Sequence, residues 1–248
     1  MPPIHPEEED YHVHLTGFGP FGRYSSNPSW EAVKPLNKRL LTSPPPPLHS
    51  AGSPEDLASS SSRQRAIRLT SSLLPVTYKA ASSFVSLLHR EGLDGSGRPD
   101  LLIHVGVGLS GAVKLEQRAR KWGYEKQDVE GEMAGVSGDG TSKRGCVVKE
   151  LEGVQDELRT SVDGKRVLEW VKRKGVEHLD LSEDAGLYLC EFTYYTSMAS
   201  SRLFGQDNPV PVQFVHVPPL DEPYTLEQLT AIIRLIVWAL VNEGGISA

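Results

Sequence analysis

Only two cysteines, Cys146 and Cys190, occur in 248 residues. That is too few for a disulfide framework and suits a reducing compartment. No apolar run reaches the roughly eighteen residues that a membrane-spanning helix requires. The opening residues, MPPIHPEEEDYH, carry neither a positive leader region nor an apolar one, so a soluble, cytoplasmic protein without membrane attachment is expected. An excess of positive charge is also missing. Lys and Arg number 26 against 32 Asp and Glu, a net charge of -6. There is no cluster able to displace counterions from a polyphosphate, and nucleic acid is not an expected partner. The densest basic group, Lys165 to Lys174, has helical spacing and reads as a solvated face.

What is present fits one large α/β domain better than two, and the length suffices for a proper core. Residues 1–10 form a polar, acidic arm, and residues 11–248 form the domain. Tyr11 to Thr16 reads as a strand running into GFGPFG, a tight loop that exposes Phe18 and Phe21. Asn27, Pro28 and Ser29 start a helix expected to run to about Leu41. Residues 42–64, rich in Pro and Ser, bury too little apolar surface to offset their ordering entropy and read as a surface insertion. A strand over Ala66 to Val76, a helix over Tyr78 to Glu91 and a continuous apolar strand over Asp100 to Val107 follow. Strand, helix and strand in succession imply a parallel, doubly wound sheet. Further on come a helix over Val162 to Gly175, short strands over Val176 to Leu181 and Pro211 to Leu220, and a terminal amphipathic helix over Thr225 to Asn242.

Two stretches carry chemistry. Gly106 to Gly111, GVGLSG, satisfies GxGxxG, but a dinucleotide site needs a helix directly after it and then a strand ending in an acidic residue. Residues 123–145 are instead polar and Gly-rich. The second stretch, DAGLYLCEFTYYTSMASS, hands a turn over to an amphipathic run with Phe192, Tyr195 and Met198 on one face. This sets Cys190 at a helix N-terminus, where unpaired N–H groups and the positive dipole end favour an anionic sulfur. A lone Cys among apolar residues is more often a small buried hydrophobe. His216 ends an apolar strand, so it and Cys190 reach the same carboxyl edge of an α/β sheet, as a thiolate and imidazolium pair requires. His104, also in a buried strand, competes for that role, and position alone does not choose. By composition Glu116 is an ordinary surface carboxylate, and residues 125–160 form a long, partly irregular excursion.

TGFGPFG with NPSWEAV, LLIHVGVGLSG before LEQ, DAGLYLCEFTYYTS, and FVHVPPL before a terminal helix occur in this order. Together they resemble the pyroglutamyl peptidase I family of cysteine peptidases over most of Val13 to Val241. The resemblance implies an open α/β/α sandwich of the phosphorylase/hydrolase-like type with a mostly parallel twisted sheet. It implies removal of N-terminal pyroglutamate from peptides, with no metal or organic cofactor. The family triad falls on Glu116, Cys190 and His216, and its ring-site aromatics fall on Phe18, Phe21 and Tyr188. Such walls suit a neutral, flat lactam. Backbone N–H groups, that of Cys190 among them, are expected to meet the oxyanion. Lys121 stands where prokaryotic members carry an Asn, whereas Gly123 and Tyr124 follow the eukaryotic pattern. A monomer is preferred over an assembly.

Overall fold

The computed structural model describes residues 10–48, 64–93 and 97–246. Most of the Pro/Ser-rich insertion, residues 49–63, and residues 1–9 of the N-terminal arm lie outside the described residues.

Eleven strands and five α-helices are described: β1 (Tyr11–Phe18), α1 (Pro28–Val33), β2 (Leu40–Leu41), β3 (Ile67–Leu74), α2 (Tyr78–Arg90), β4 (Leu101–Val107), β5 (Val113–Glu116), β6 (Arg118–Arg120), β7 (Gly135–Val136), β8 (Arg144–Gly145), β9 (Glu157–Arg159), α3 (Gly164–Arg173), β10 (Leu179–Ser182), α4 (Leu189–Gly205), β11 (Val212–Val217) and α5 (Leu226–Asn242). The central sheet has the order β10-β5-β11-β4-β1-β3-β2. β11, β4, β1 and β3 are parallel neighbours. β5 runs against β11, β10 runs with β5, and the short edge strand β2 runs against β3. The sheet is therefore mostly parallel, as expected, with β5 and β10 reversed on one side.

α1, α3 and α5 share one apolar cluster on one face of the sheet, and α2 and α4 share a second on the other, which gives three layers. β4 sits at the centre because LLIHVGV is buried on both faces along almost its whole length. α5 begins with a capping box, Thr225 and Gln228 each satisfying the other's backbone N–H, and it buries Leu229, Ile232, Ile233 and Ile236. α1 crosses β1 so closely that a Cβ on Gly17 would lie 2.5 Å from the Trp30 Cα, so glycine is required there.

Two expectations are corrected. α1 stops at Val33, is extended by a 3₁₀ turn over Lys34–Leu36, and gives way to β2 at Leu40. Pro35 is the reason: Lys34 is still helical and its N–H still reaches Trp30 O, but Pro35 has no N–H with which to continue the ladder. α4 is not amphipathic: Leu189 and then Glu191 to Ser201 are all buried. It lies between the sheet, α2 and the excursion carrying β6 and β9. Its small polar residues face neighbours, not water: Ser197 meets two imidazoles and Ser201 donates to the Val210 carbonyl.

Candidate active site

GVGLSG continues into a strand, not a helix. Val113 to Glu116 form β5, and the helix that a dinucleotide site needs is not there. The loop serves the neighbouring strand end instead. Gly108 N–H donates to Val217 O (2.8 Å), and a Cβ on Gly108 would touch the His216 side chain at 3.1 Å.

Cys190 is the second residue of α4, so its N–H is one of those left without an intrahelical partner at the helix start. The strand before it, β10, runs against β11, so Cys190 does not reach the site from the end of a parallel strand. Residues 183–188 carry the chain back to the carboxyl end of β4. There a Cβ on Gly106 would lie 2.9 Å from Cys190 Sγ and 2.9 Å from the Phe214 ring. Glycine at 106 thus makes room for the sulfur. His216 is paired in register with that same Gly106.

Glu116 is fully buried (0 % exposed), which overturns its reading as a surface carboxylate. The reversed strand β5 runs beside β11 and points the carboxylate inward, with Oε1 2.8 Å from His216 Nδ1. Its backbone carbonyl accepts from Tyr194 Oη and Gln213 Nε2, each at 2.9 Å, which holds the strand end in place. With Nδ1 engaged, Nε2 is the ring nitrogen left for Cys190, whose sulfur lies close enough to act on the imidazole. Burial alone lowers the His216 pKa. The sulfur's charge and hydrogen bond, together with those of Glu116, outweigh it and raise the imidazole from 6.5 to about 9. Carboxylate, imidazole and thiol stand in series, the order that a relay of orienter, proton carrier and nucleophile requires.

His104 is excluded from that role by its partners. Nδ1 meets Thr16 Oγ1 at 2.7 Å and Nε2 meets Ser197 Oγ at 2.8 Å, so both ring nitrogens are used. Ser197 Oγ also meets His89 Nε2 at 2.8 Å, extending a buried polar chain beneath α4. Cys146 is wholly buried, its Sγ 3.4 Å from Thr196 Oγ1, and burial raises its thiol pKa.

Phe18, Phe21 and Tyr188 belong to the same apolar cluster as Cys190. Phe18 is not an exposed loop residue: it closes β1, is buried, and its ring centroid lies 6.3 Å from that of Phe214. Phe21 is half-buried and packs on Tyr24 at 5.5 Å. Tyr188 packs edge-on against Tyr78 at 6.5 Å and donates to Gln127 O at 3.0 Å, which ties the excursion to the helix start. The excursion itself is fastened elsewhere. Asp128 accepts from the N–H groups of Tyr78, Glu130 and Glu132, and Lys121 Nζ donates to the carbonyls of Leu151 and Glu152.

Sequence reasoning missed Glu191 and Arg120. Glu191, next to Cys190 and 1 % exposed, accepts from Leu187 N–H (2.9 Å), Arg120 N–H (3.0 Å), Arg120 Nε (2.6 Å) and Arg120 Nη2 (2.8 Å). Arg120 Nη2 also bonds Asp184. Leu187 is held at φ 43, in the left-handed region, just before the helix. The clue for Glu191 was its place three residues into a helix, where a carboxylate reaches back to a preceding N–H. Nothing in the sequence pointed to Arg120. Among the described residues, no group of three or more His, Cys, Asp or Glu side chains is arranged to hold a metal, and no helix is long and apolar enough to cross a membrane.

No family model matches the chain. It is 31% identical to mouse pyroglutamyl-peptidase 1 over 244 residues, covering 95% of this chain and 94% of that protein. It is 32% identical to human pyroglutamyl-peptidase 1 over 234 residues, covering 93% and 90%. Among solved structures, pyroglutamyl peptidase I of Bacillus amyloliquefaciens superposes with a TM-score of 0.68 at 21% identity, covering 96% of this chain and all of that one, a likeness of fold.

Proposed function

The chain belongs to the pyroglutamyl-peptidase I family, and from that premise we propose that it is a cysteine exopeptidase that removes N-terminal pyroglutamate from peptides. The observation that carries this reading is the buried relay from Glu116 Oε1 to His216 Nδ1, with Cys190 at the far side of the ring. The Cys190 thiolate attacks the carbonyl carbon that joins pyroglutamate to the next residue. The tetrahedral oxyanion is met by backbone N–H groups at the start of α4, where loss of one donor typically costs about 10²- to 10³-fold. His216 gives its proton to the departing amine, and the C–N bond breaks to leave a thioester on Cys190. Water, deprotonated by His216, then releases 5-oxoproline and restores the thiol. Glu116 fixes the ring and stabilises its charged form without taking part in bond making.

Phe18, Phe21 and Tyr188 supply flat apolar walls for a lactam that carries no charge. Free Cys146 and Cys190 agree with a reducing, cytoplasmic setting. The test is release of a fluorophore from a pyroglutamyl amide. Wild type should turn over, while Cys190→Ala and iodoacetamide-treated protein should not. No release by wild type ends the peptidase reading, and activity persisting in Cys190→Ala ends the assignment of the nucleophile.

A further inference from the structure

A second polar constellation lies roughly 15 Å from Cys190, four residues earlier along the strands and out toward β3, a span set by strand rise and spacing. His14 on β1 pairs in register with Thr70 on β3. The Thr70 hydroxyl lies 2.8 Å from both His14 Nδ1 and His12 Nε2. One hydroxyl carries one proton, so it donates to one ring and accepts from the other. His14 Nε2 has no partner although the residue is only 4 % exposed. An unpartnered buried ring nitrogen is costly unless something meets it.

That residue lines a cavity of about 550 Å³, whose wall also includes Arg68, Thr70, Ser72, Lys38 and Leu40. Arg68, Thr70 and Ser72 alternate along β3, so they project from the same face as His14. Arg68 and Lys38 have no ion pair with any described residue. Arg39 adds a third cation to the lining against the single carboxylate of Asp10. Burial lowers the His14 and His12 pKa values, to about 3 and about 4, so the positive charge comes from Arg and Lys. Leu40, 53 % exposed, gives the rim an apolar surface.

We propose that this cavity binds a small organic phosphate, its phosphoryl oxygens taken by Arg68, Lys38 and the Ser72 hydroxyl and its apolar body laid against Leu40. Arg68 and Ser72 stand on β3 and Lys38 on the turn before β2, so donors from two segments are available for three phosphoryl oxygens, one more than a carboxylate carries. The volume exceeds what a bare phosphate fills and falls in the range of small-molecule sites.

Calorimetric titration of the full chain with inorganic phosphate, phenyl phosphate and acetate tests this. Phenyl phosphate should bind about fivefold more tightly than phosphate, from apolar area covered on Leu40. Arg68→Gln should weaken both phosphates by about tenfold or more, and Lys38→Gln, at an exposed position that leaves folding intact, by about threefold. Hydrolysis of the pyroglutamyl amide in phosphate-free buffer should be unchanged in both variants. Absence of saturable binding, equal affinity for acetate, or undiminished phosphate binding in Lys38→Gln overturns the proposal.

Discussion

Each group of the proposed relay owes its state to a neighbour. His216 carries a raised pKa only because a sulfur and a carboxylate flank a ring whose burial acts in the opposite direction. The imidazolium is therefore present below about 9 and lost as pH rises through that value, so the alkaline limb of kcat/KM should fall near 9, a property of the Cys190 and His216 pair together. Glu116→Gln removes one of the raising influences. It should lower turnover by roughly 10²- to 10⁴-fold and shift the alkaline limb toward lower pH while leaving the fold intact. A limb that stays in place in Glu116→Gln would show that the carboxylate does not set the proton affinity of the ring. Glu116 also shows how composition misleads at this scale. Its neighbours Lys114, Gln117 and Arg118 suggest a surface segment, and only the register of β5 beside β11 turns the carboxylate inward.

The start of α4 is where local sequence and distant partners meet. Tyr188 caps the helix without a side-chain bond, so the stabilisation comes from Glu191, which binds the Leu187 N–H behind it and Arg120 beside it. That pairing balances the charge of a carboxylate next to Cys190 and holds the strained Leu187 turn. Glu191→Ala should leave Arg120 without its main partner and cost about 2 to 3 kcal/mol of stability. It should also slow iodoacetamide alkylation of Cys190 across the whole pH range, which distinguishes loss of positioning from loss of stability alone. Alkylation at the wild-type rate would remove Glu191 from the site. The helix itself was legible from its turn residues and apolar spacing. Its burial on all sides was not, because Thr193, Thr196, Ser197 and Ser200 look solvent-facing until α2, the sheet and the excursion close around them.

Across the molecule, the face of the sheet under α2 and α4 buries imidazoles. His14, His89 and His104 are each held near a pKa of about 3, chiefly by burial, while their unfolded value is 6.5. Below 6.5 the unfolded chain binds protons that the folded chain refuses. Their contribution is complete above about 6.5 and declines as pH falls toward 3, with a slope approaching about 4 kcal/mol per pH unit near pH 5. Denaturant unfolding between pH 7 and 5 should show that decline, and a flat profile would contradict buried neutral rings. The α/β class, most strand and helix positions, and a Cys at a helix start were determined by the sequence alone, because hydrophobic period, caps and turn residues act within a few positions. Tertiary structure decided the rest: which of His104 and His216 faces the sulfur, that Glu116 is buried, that Arg120 serves Glu191, and that α1 yields to an edge strand. Those outcomes depend on strand order and register, which bring residues a hundred positions apart within 3 Å, and no local pattern encodes such a distance.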